Sequence, residues 1–330
     1  MTTISELGED GLLHELSAVF RAPHEQLTCG IGDDAAVLAW RGDLVATVDS
    51  IEAGTDWLVD KTPRDAIGWR AAAVNLSDLA AMGARPVALL CALDLPGALP
   101  IDDVLKSARG LAELASRHGA SIAGGDISIG GSERWSVTAM GDVHGRAMTR
   151  DRARPGDAVW LIGEVGMAAV GLAACRMDTE PLPRSIQRCV DRHLRPRPLV
   201  DAGRALQQHG SRLAAIDVSD GLARDAGHLA RSSGVHLELA MDRPNWLDDE
   251  AQRWCESADV DWRAACASGG DDYALVVTAP RHEDIAAILS DVEVSVRRIG
   301  HARATGAGER LAIVVNGRSC ALSGGGFVHG

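Results

Sequence analysis

Val74-Asn75-Leu76-Ser77-Asp78-Leu79-Ala80-Ala81-Met82-Gly83-Ala84 reads as the end of a helix that carries a carboxylate where an apolar residue is due. The helix is announced upstream by Thr62-Pro63-Arg64-Asp65, with a capping threonine, a proline at the first helical position and an acid three residues past the cap. Gly83 stops it. Ile67, Ala71, Val74 and Asp78 follow at spacings of four, three and four, so Asp78 continues a stripe built for burial. A carboxylate there is costly unless it is paired or metal-bound; capping a neighbouring loop, pairing with an arginine and holding a cation are all open.

Working outward, Val87 to Leu95 reads as a buried strand and Pro100 to His118 as a helix. Ser121-Ile122-Ala123 is a short strand ending on Gly124-Gly125-Asp126, and Trp135 to Val143 is a further strand with Gly141-Asp142 inside it. Toward the N-terminus, Ile4 to Phe20 has the spacing of an amphipathic packing helix. In Gly30-Ile31-Gly32-Asp33-Asp34 the glycines keep bulk away from two adjacent carboxylates. Ala35 to Trp40 and Leu44 to Val48 read as strands joined by the turn Arg41-Gly42-Asp43, so a hairpin would bring Asp34 and Asp49 to one end. Strands and helices alternate, which is the mark of an α/β fold.

With 330 residues the chain is long enough for two domains. The polar turn Arg-Ala-Arg-Pro-Gly-Asp at residues 152–157 places the boundary near it, giving domains 1–148 and 149–330. In the second, Ala158 to Ile162 is a strand, and Gly163-Glu164-Val165-Gly166 precedes an alanine-rich helix. That loop is an incomplete nucleotide-binding pattern and is better explained as a plain turn; no G-x-x-x-x-G-K-[ST] occurs. His193 to Pro198 is a stiff extended link. Ala214 to Leu222 is a strand running into Asp217, Ser219 and Asp220; Ser219 or Asp220 could serve simply as a helix cap, whereas Asp217 sits at a strand end with another acid three residues on. Gly269-Gly270-Asp271-Asp272-Tyr273 precedes the strand Ala274 to Thr278, and Asn316-Gly317 signals a hairpin. Phe327 lies on a glycine tether at the C-terminus, where it either folds over a ligand or frays.

A formal charge of −13 argues against nucleic acid, whose phosphates need a basic footprint. No run of eighteen apolar residues occurs, and residues 1–7 have neither the basic start nor the apolar core of a signal peptide, so a cytoplasmic protein without a membrane partner is expected. Seven scattered cysteines without a C-x-x-C pair suggest reduced, buried thiols. The histidines form no metal-binding pattern. What recurs is an acid beside glycine, most often at the end of an apolar strand: Asp33/Asp34, Asp126, Asp217/Asp220 and Asp271/Asp272, with Asp49 and Asp78 between them. Repetition on this scale points to oxygen ligands for a hard cation, with Mg²⁺ and a nucleotide as the natural pair.

With these motifs in view the chain resembles the thiamine-monophosphate kinases of the aminoimidazole-ribonucleotide-synthetase (PurM-like) superfamily. The resemblance rests on Gly30–Asp34, Val74–Ala84, Gly124–Asp126, Gly145–Arg150 with Arg154–Asp157, Ile216–Leu222 and Gly269–Tyr273, which occur in family order. It implies a two-domain α/β PurM-like fold. The N-terminal domain would have a mixed sheet with helices, bind ATP and Mg²⁺ and form a homodimer; the C-terminal α/β domain would complete the nucleotide and substrate sites. Carried over by motif, Asp34, Thr47, Asp49, Asp78, Asp126, Asp217 and Asp220 would hold several Mg²⁺ ions, with Val48 contributing its carbonyl. Gly125, Asp126, Arg150 and Ser219 would meet ATP. Asp56, Asp271 and Phe327 would face the acceptor. The implied reaction is in-line transfer of the γ-phosphoryl group of ATP to thiamine monophosphate. It needs no general base, so the metal ligands and Arg150 carry the chemistry.

Three departures gather on the acceptor side. Gly54-Thr55-Asp56-Trp57 replaces the family's Gly-x-His-Phe, Asp271 stands where the family has glutamate, and the chain ends Phe327-Val328-His329-Gly330 instead of aromatic-Asp-His-Phe. Another PurM-like enzyme with a different small acceptor, and a non-catalytic nucleotide or cation-binding module, are the alternatives. The cysteine signatures of selenophosphate synthetase and of the hydrogenase-maturation dehydratase are absent.

Overall fold

A computed structural model describes residues 2–22, 24–177, 181–240 and 247–305, together with the backbone of 311–315 and 318–320. Its contacts divide the chain into two compact units, residues 1–79 with 84–145, and residues 80–83 with 146–330.

The first unit contains α1 (Ile4–Phe20), β1 (Leu27–Cys29), β2 (Val37–Leu38), β3 (Asp43–Glu52), α2 (Arg64–Met82, whose last residues group with the second unit), β4 (Arg85–Leu95), α3 (Ile101–Arg117), β5 (Ser121–Ile129) and β6 (Arg134–Val143). Four strands form a mixed sheet in the order β3-β6-β4-β5, in which only β4 and β5 run parallel. α1 packs on α3 and β5. α2 and α3 meet backbone to backbone: a Cβ added at Gly68 would lie 1.7 Å from the Ser107 carbonyl oxygen, and one at Gly110 would lie 1.9 Å from that of Asp65. α2 ends as its sequence requires. Gly83 adopts φ +71°, and the Ala84 amide donates to the Leu79 carbonyl at 2.8 Å.

Two ion pairs brace this unit. Arg64 Nη1 donates to Glu133 Oε2 at 2.8 Å, and Glu133, 6% exposed, also accepts from Trp135 Nε1. Asp142, which the sequence places inside a strand, is buried because Arg85 grips it with two bonds of 3.1 and 2.7 Å across the β4–β6 pair.

Two expectations are corrected. The hairpin of residues 35–40 with 44–48 does not form: β2 pairs with β1, and β3 pairs with β6 in an unbroken register from Asp43↔Val143 to Glu52↔Arg134. A ten-residue antiparallel partner satisfies far more backbone than a two-residue hairpin arm, and Leu38 and Trp40 instead pack on Val87, Ala88 and Ala123. The short strand ending at Gly124 is in fact nine residues long, because β4 continues beside it past a register shift at Leu89/Leu90.

The second unit contains β7 (Ala158–Ile162), α4 (Met167–Arg176), α5 (Arg184–Leu194), α6 (Val200–His209), β8 (Ala214–Val218), α7 (Leu222–Ser233), β9 (Val235–Ala240), α8 (Asp249–Ser257), α9 (Trp262–Ser268), β10 (Ala274–Ala279), α10 (Ile285–Ile288), β11 (Val296–Ala304), β12 (Leu311–Val315) and β13 (Arg318–Cys320). Seven strands run in the order β13-β12-β9-β11-β7-β10-β8, all antiparallel except β12 with β9. Val159, Leu161, Ile216, Val218 and Val276 join Val170, Ile186, Leu222 and Leu229 in one apolar core, so helices cover that face of the sheet. Cys189, Cys255 and Cys266 lie in this core, and burial raises their thiols well above the ordinary value. β12 and β13 pair up to Val315↔Arg318 as the hairpin signal requires; Asn316 and Gly317 themselves lie outside the described residues. Among the described residues no helix is long and apolar enough to cross a membrane.

Candidate active site

In the first unit two of the candidate acids, Asp49 and Asp78, lie where β3 meets α2. Alternate side chains of β3 face α2, and there Thr47 Oγ1 donates to Asp78 Oδ2 at 2.5 Å. One residue pair along, the Asp49 amide donates to Asn75 Oδ1 at 3.0 Å, while the Asn75 side chain donates to the Ala71 carbonyl at 3.1 Å. Asn75 is fully buried, so its carboxamide cross-links strand to helix and leaves the exposed Asp49 carboxylate at the surface. Asp78 is half-buried at the place where the helical stripe predicts burial, and the Thr47 hydroxyl is one of its partners. Val48, between Thr47 and Asp49, points to the other face and is 64% exposed.

Asp34 is exposed in the loop between β1 and β2, where its amide donates to Asp33 Oδ1 at 2.8 Å. Gly125 and Asp126 lie inside β5, opposite Cys91 and Ala92. A Cβ at Gly125 would stand 1.9 Å from the Cys91 carbonyl oxygen, so the strand requires glycine there, and Asp126 beside it is exposed. Asp56 turns back on its own loop and accepts the Glu52 amide at 2.7 Å.

In the second unit the end of β8 carries the acids. Asp217 is 3% exposed within the strand. Ser219 and Asp220 follow, and both of their amides donate to the Asp225 carboxylate, at 3.1 and 3.0 Å. Asp220 also pairs with Arg224 at 3.3 Å. Burial raises the Asp225 pKa to about 7, helped by the charge of Asp220 and opposed by the two amides and by Arg150. The Arg150 carbonyl accepts from Ser233 Oγ, which fixes the backbone from which that guanidinium projects.

Asp271 sits in a turn with two left-handed residues that are not glycine, Asp271 (φ 66°) and Tyr273 (φ 51°). Such backbone persists where surrounding bonds over-determine it. Here the Asp271 amide donates to the Ser219 carbonyl at 2.9 Å, the Tyr273 amide to the Val218 carbonyl at 2.8 Å, and Tyr273 OH to Asp271 Oδ1 at 3.0 Å. Asp272 is half-buried and accepts the amides of Gly166 at 2.6 Å and Ala168 at 3.0 Å. Gly163 to Gly166 is therefore the plain turn expected of it, with the N-terminus of α4 taken up by an internal carboxylate. Behind Asp271 opens a cavity of about 460 Å³, also lined by Glu164, Met167, Arg192, Arg197 and Tyr273. Arg192 bonds Glu164 at 2.8 Å, and burial lowers its pKa against the opposing pull of that carboxylate. Phe327 lies outside the described residues.

Asn75 and Asp225 are absent from the residues singled out for ligand contact, and Asp272 is among them only as one more acid for a cation; each holds backbone that carries a candidate ligand. The signal for Asn75 lies in the sequence: it is a polar residue one step from the apolar stripe, three before Asp78. The candidate donors of the first unit, Asp34, Thr47, Asp49, Asp78 and Asp126, offer only oxygen, which is the chemistry a hard divalent cation takes. Among the described residues no three acidic, histidine or cysteine side chains converge into a metal-binding group.

Comparison with known proteins follows this geometry. Residues 32–145 match the family described as AIR synthase related protein, N-terminal domain, and residues 154–312 match its C-terminal domain. The chain is 32% identical over 279 residues to thiamine-monophosphate kinase of Aquifex aeolicus, covering 84% of this chain and 88% of that one. The crystal structure of thiamine-monophosphate kinase from Stenotrophomonas maltophilia superposes with a TM-score of 0.79 at 35% identity, covering 94% and 96% of the two chains. AaThiL complexed with AMPPCP and TMP superposes with a TM-score of 0.75 at 29% identity, covering 99% and 98%.

Proposed function

The chain belongs to the AIR synthase related family, on its thiamine-monophosphate kinase branch, and from this we propose that it transfers the γ-phosphoryl group of ATP to thiamine monophosphate, giving thiamine diphosphate and ADP. The observation that carries the proposal is the alignment of Thr47, Asp49 and Asp78 where β3 meets α2, an oxygen-rich edge in a family whose structure was solved with an ATP analogue and TMP.

Asp34, Thr47, Asp49, Asp78, Asp126, Asp217 and Asp220, with the Val48 carbonyl, would hold Mg²⁺. When bound, the ions neutralise the phosphate charge that gathers during transfer. The chain's own residues do the rest. Asn75 sets the strand position of Asp49, Asp225 holds the Ser219–Asp220 backbone, Arg150 supplies a fixed positive charge toward ATP, and Ser219 and the Gly125 backbone supply neutral contacts to it. The acceptor is an ionised phosphate oxygen, so alignment rather than proton removal is what the site provides. Asp56, Asp271 and Phe327 are assigned to the acceptor, with Asp271 supported by its place on the cavity wall. The first domain, residues 1–148, would bind ATP and metal, and the second, 149–330, would complete both sites.

A homodimer in the cytoplasm belongs to the same reading. Support for the dimer comes from the face of β3 turned away from α2, where Leu44 is 56% and Val48 64% exposed on the edge strand of the sheet. The test of the function is mass balance: with ATP, Mg²⁺ and thiamine monophosphate, ADP and thiamine diphosphate should accumulate in equal amounts. Binding of ATP without turnover would instead favour a nucleotide-binding module, and turnover with a different acceptor only would favour a sister enzyme.

A further inference from the structure

Asp271 and Asp272 are adjacent acids with different employment. Both border the cavity, but Asp271 bonds Tyr273 OH, while Asp272 accepts the amides of Gly166 and Ala168 at the start of α4. The residues on either side of Asp272 both have left-handed backbone, a conformation a side chain rarely adopts unless it is held. The same turn reaches β8 through the Asp271 and Tyr273 amides, which donate to the Ser219 and Val218 carbonyls. Ser219 is thus gripped from two sides, at its carbonyl by this turn and at its amide by Asp225. On the α4 side the fit is tight: a Cβ on Gly166 would lie 2.7 Å from Cys266 Sγ and 2.8 Å from the Cys266 amide nitrogen, so the helix start cannot drift toward α9.

We propose that Asp272 is a positioning residue for phosphoryl transfer: its carboxylate anchors the turn 269–273 to the start of α4, and so fixes where the Asp271 carboxylate and the Ser219 carbonyl stand. The proposal rests on the function given above. A half-buried carboxylate is well suited to the task, since it accepts two amides at once and is favoured by the positive end of a helix. Each of its two oxygens is taken up by a backbone amide. Its effect runs through Asp271, so the acceptor should feel its loss more than ATP does.

The experiment uses the full-length protein and two variants. Asp272→Asn keeps one acceptor and sets an NH₂ group against the second amide. Ala168→Pro leaves Asp272 intact and removes one of the two donors in the first turn of α4, where no intrahelical hydrogen bond is lost. Steady-state kinetics with ATP and thiamine monophosphate should show the acceptor KM raised about tenfold in Asp272→Asn, the scale of one lost hydrogen bond. Ala168→Pro should move it in the same direction by less, with the ATP KM within about twofold of wild type in both. Equal increases in both KM values, or lower thermal stability with both KM values unchanged, would overturn the proposal. If either variant fails to fold, the other carries the comparison. If the wild type does not phosphorylate thiamine monophosphate, the function reading fails by itself. The anchor is then decided by amide hydrogen exchange, where unchanged protection of Gly166, Ala168 and Asp271 in Asp272→Asn would dismiss it.

Discussion

Thr47 Oγ1 donates to Asp78 Oδ2 at 2.5 Å, joining the centre of the edge strand β3 to the last turns of α2. The hydroxyl holds the carboxylate in one orientation and leaves the second oxygen, Oδ1, for other partners. Thr47→Val keeps the shape and removes the bond. Activity should fall, and the Mg²⁺ concentration for half-maximal turnover should rise by about 10-fold or more, the usual cost of losing an oriented partner of a metal ligand. Asp78→Asn should cost roughly 10²-fold or more in kcat while thermal melting stays close to wild type. Near-normal turnover of Asp78→Asn at saturating Mg²⁺ would remove Asp78 from the ligand set.

Asn75→Leu tests the strand-to-helix cross-link. It leaves the Asp49 amide without its buried acceptor, so unfolding in urea should show a loss of about 1–3 kcal/mol. Because the Asp49 backbone is then free to shift, Mg²⁺ dependence should weaken as well. A stability loss with an unaltered Mg²⁺ titration would make Asn75 a purely structural residue.

Arg64→Ala strands Glu133, which is 6% exposed and, among the described residues, keeps the neutral Trp135 indole as its side-chain partner. The expected cost is about 3–5 kcal/mol, typical of a buried charge deprived of its partner. Arg64→Met with Glu133→Leu should recover most of that, because the pair is replaced rather than broken. Chemical denaturation of the three proteins checks both statements.

The pH dependence of stability has a definite sign. Burial lifts the Asp272 pKa from 3.8 to about 7, against the pull of the Gly166 and Ala168 amides, so the folded protein binds this proton more tightly than the unfolded chain does. Between about pH 4 and 7 the folded state is the more protonated one, and stability falls as pH rises through that window. Asp225, also raised to about 7, adds a contribution of the same sign. Asp272→Asn should therefore reduce the fall in melting temperature between about pH 5 and pH 8. A fall as steep as that of wild type would assign the effect to other groups.

Leu44→Glu tests the proposed dimer without touching a site residue. Leu44 is 56% exposed on β3, opposite Asp142 in register. A glutamate there should move the protein from dimer to monomer in sedimentation, since a buried unpaired charge in an apolar interface is unfavourable. A wild-type monomer at micromolar concentration would end that reading.

The helix-borne part of the site was legible from sequence because its signals are local. Thr62, Pro63 and Gly83 bound α2, and the stripe Ile67, Ala71, Val74 singles out Asp78 as a carboxylate in the wrong place. Strand pairing was not legible to the same degree. Nothing near residue 43 says that β3 will choose a partner ninety residues on rather than its neighbour across Arg41-Gly42, since the choice depends on β6 being equally long. The extension of β5 through Gly124 and Gly125 likewise depends on β4 passing close to it. Asp225 was hidden, and Asp272 stood out only as an acid beside glycine, for another reason: they act on backbone amides, which every residue has, so no side-chain motif marks their partners.

The Gly68–Gly110 crossing has a consequence for how this protein tolerates change. Where side chains separate two helices, each substitution in the interface resets the spacing between them. Here the spacing is set by main-chain atoms of α2 and α3 in contact, with no side chain between them. The height of α2 above the sheet, and with it the elevation of Asp78 and Asn75 over β3, is insulated from drift in the surrounding Leu76, Leu79 and Leu111. The core can exchange one aliphatic residue for another over evolutionary time while the acidic edge stays in register, and only the two glycines are forbidden to vary.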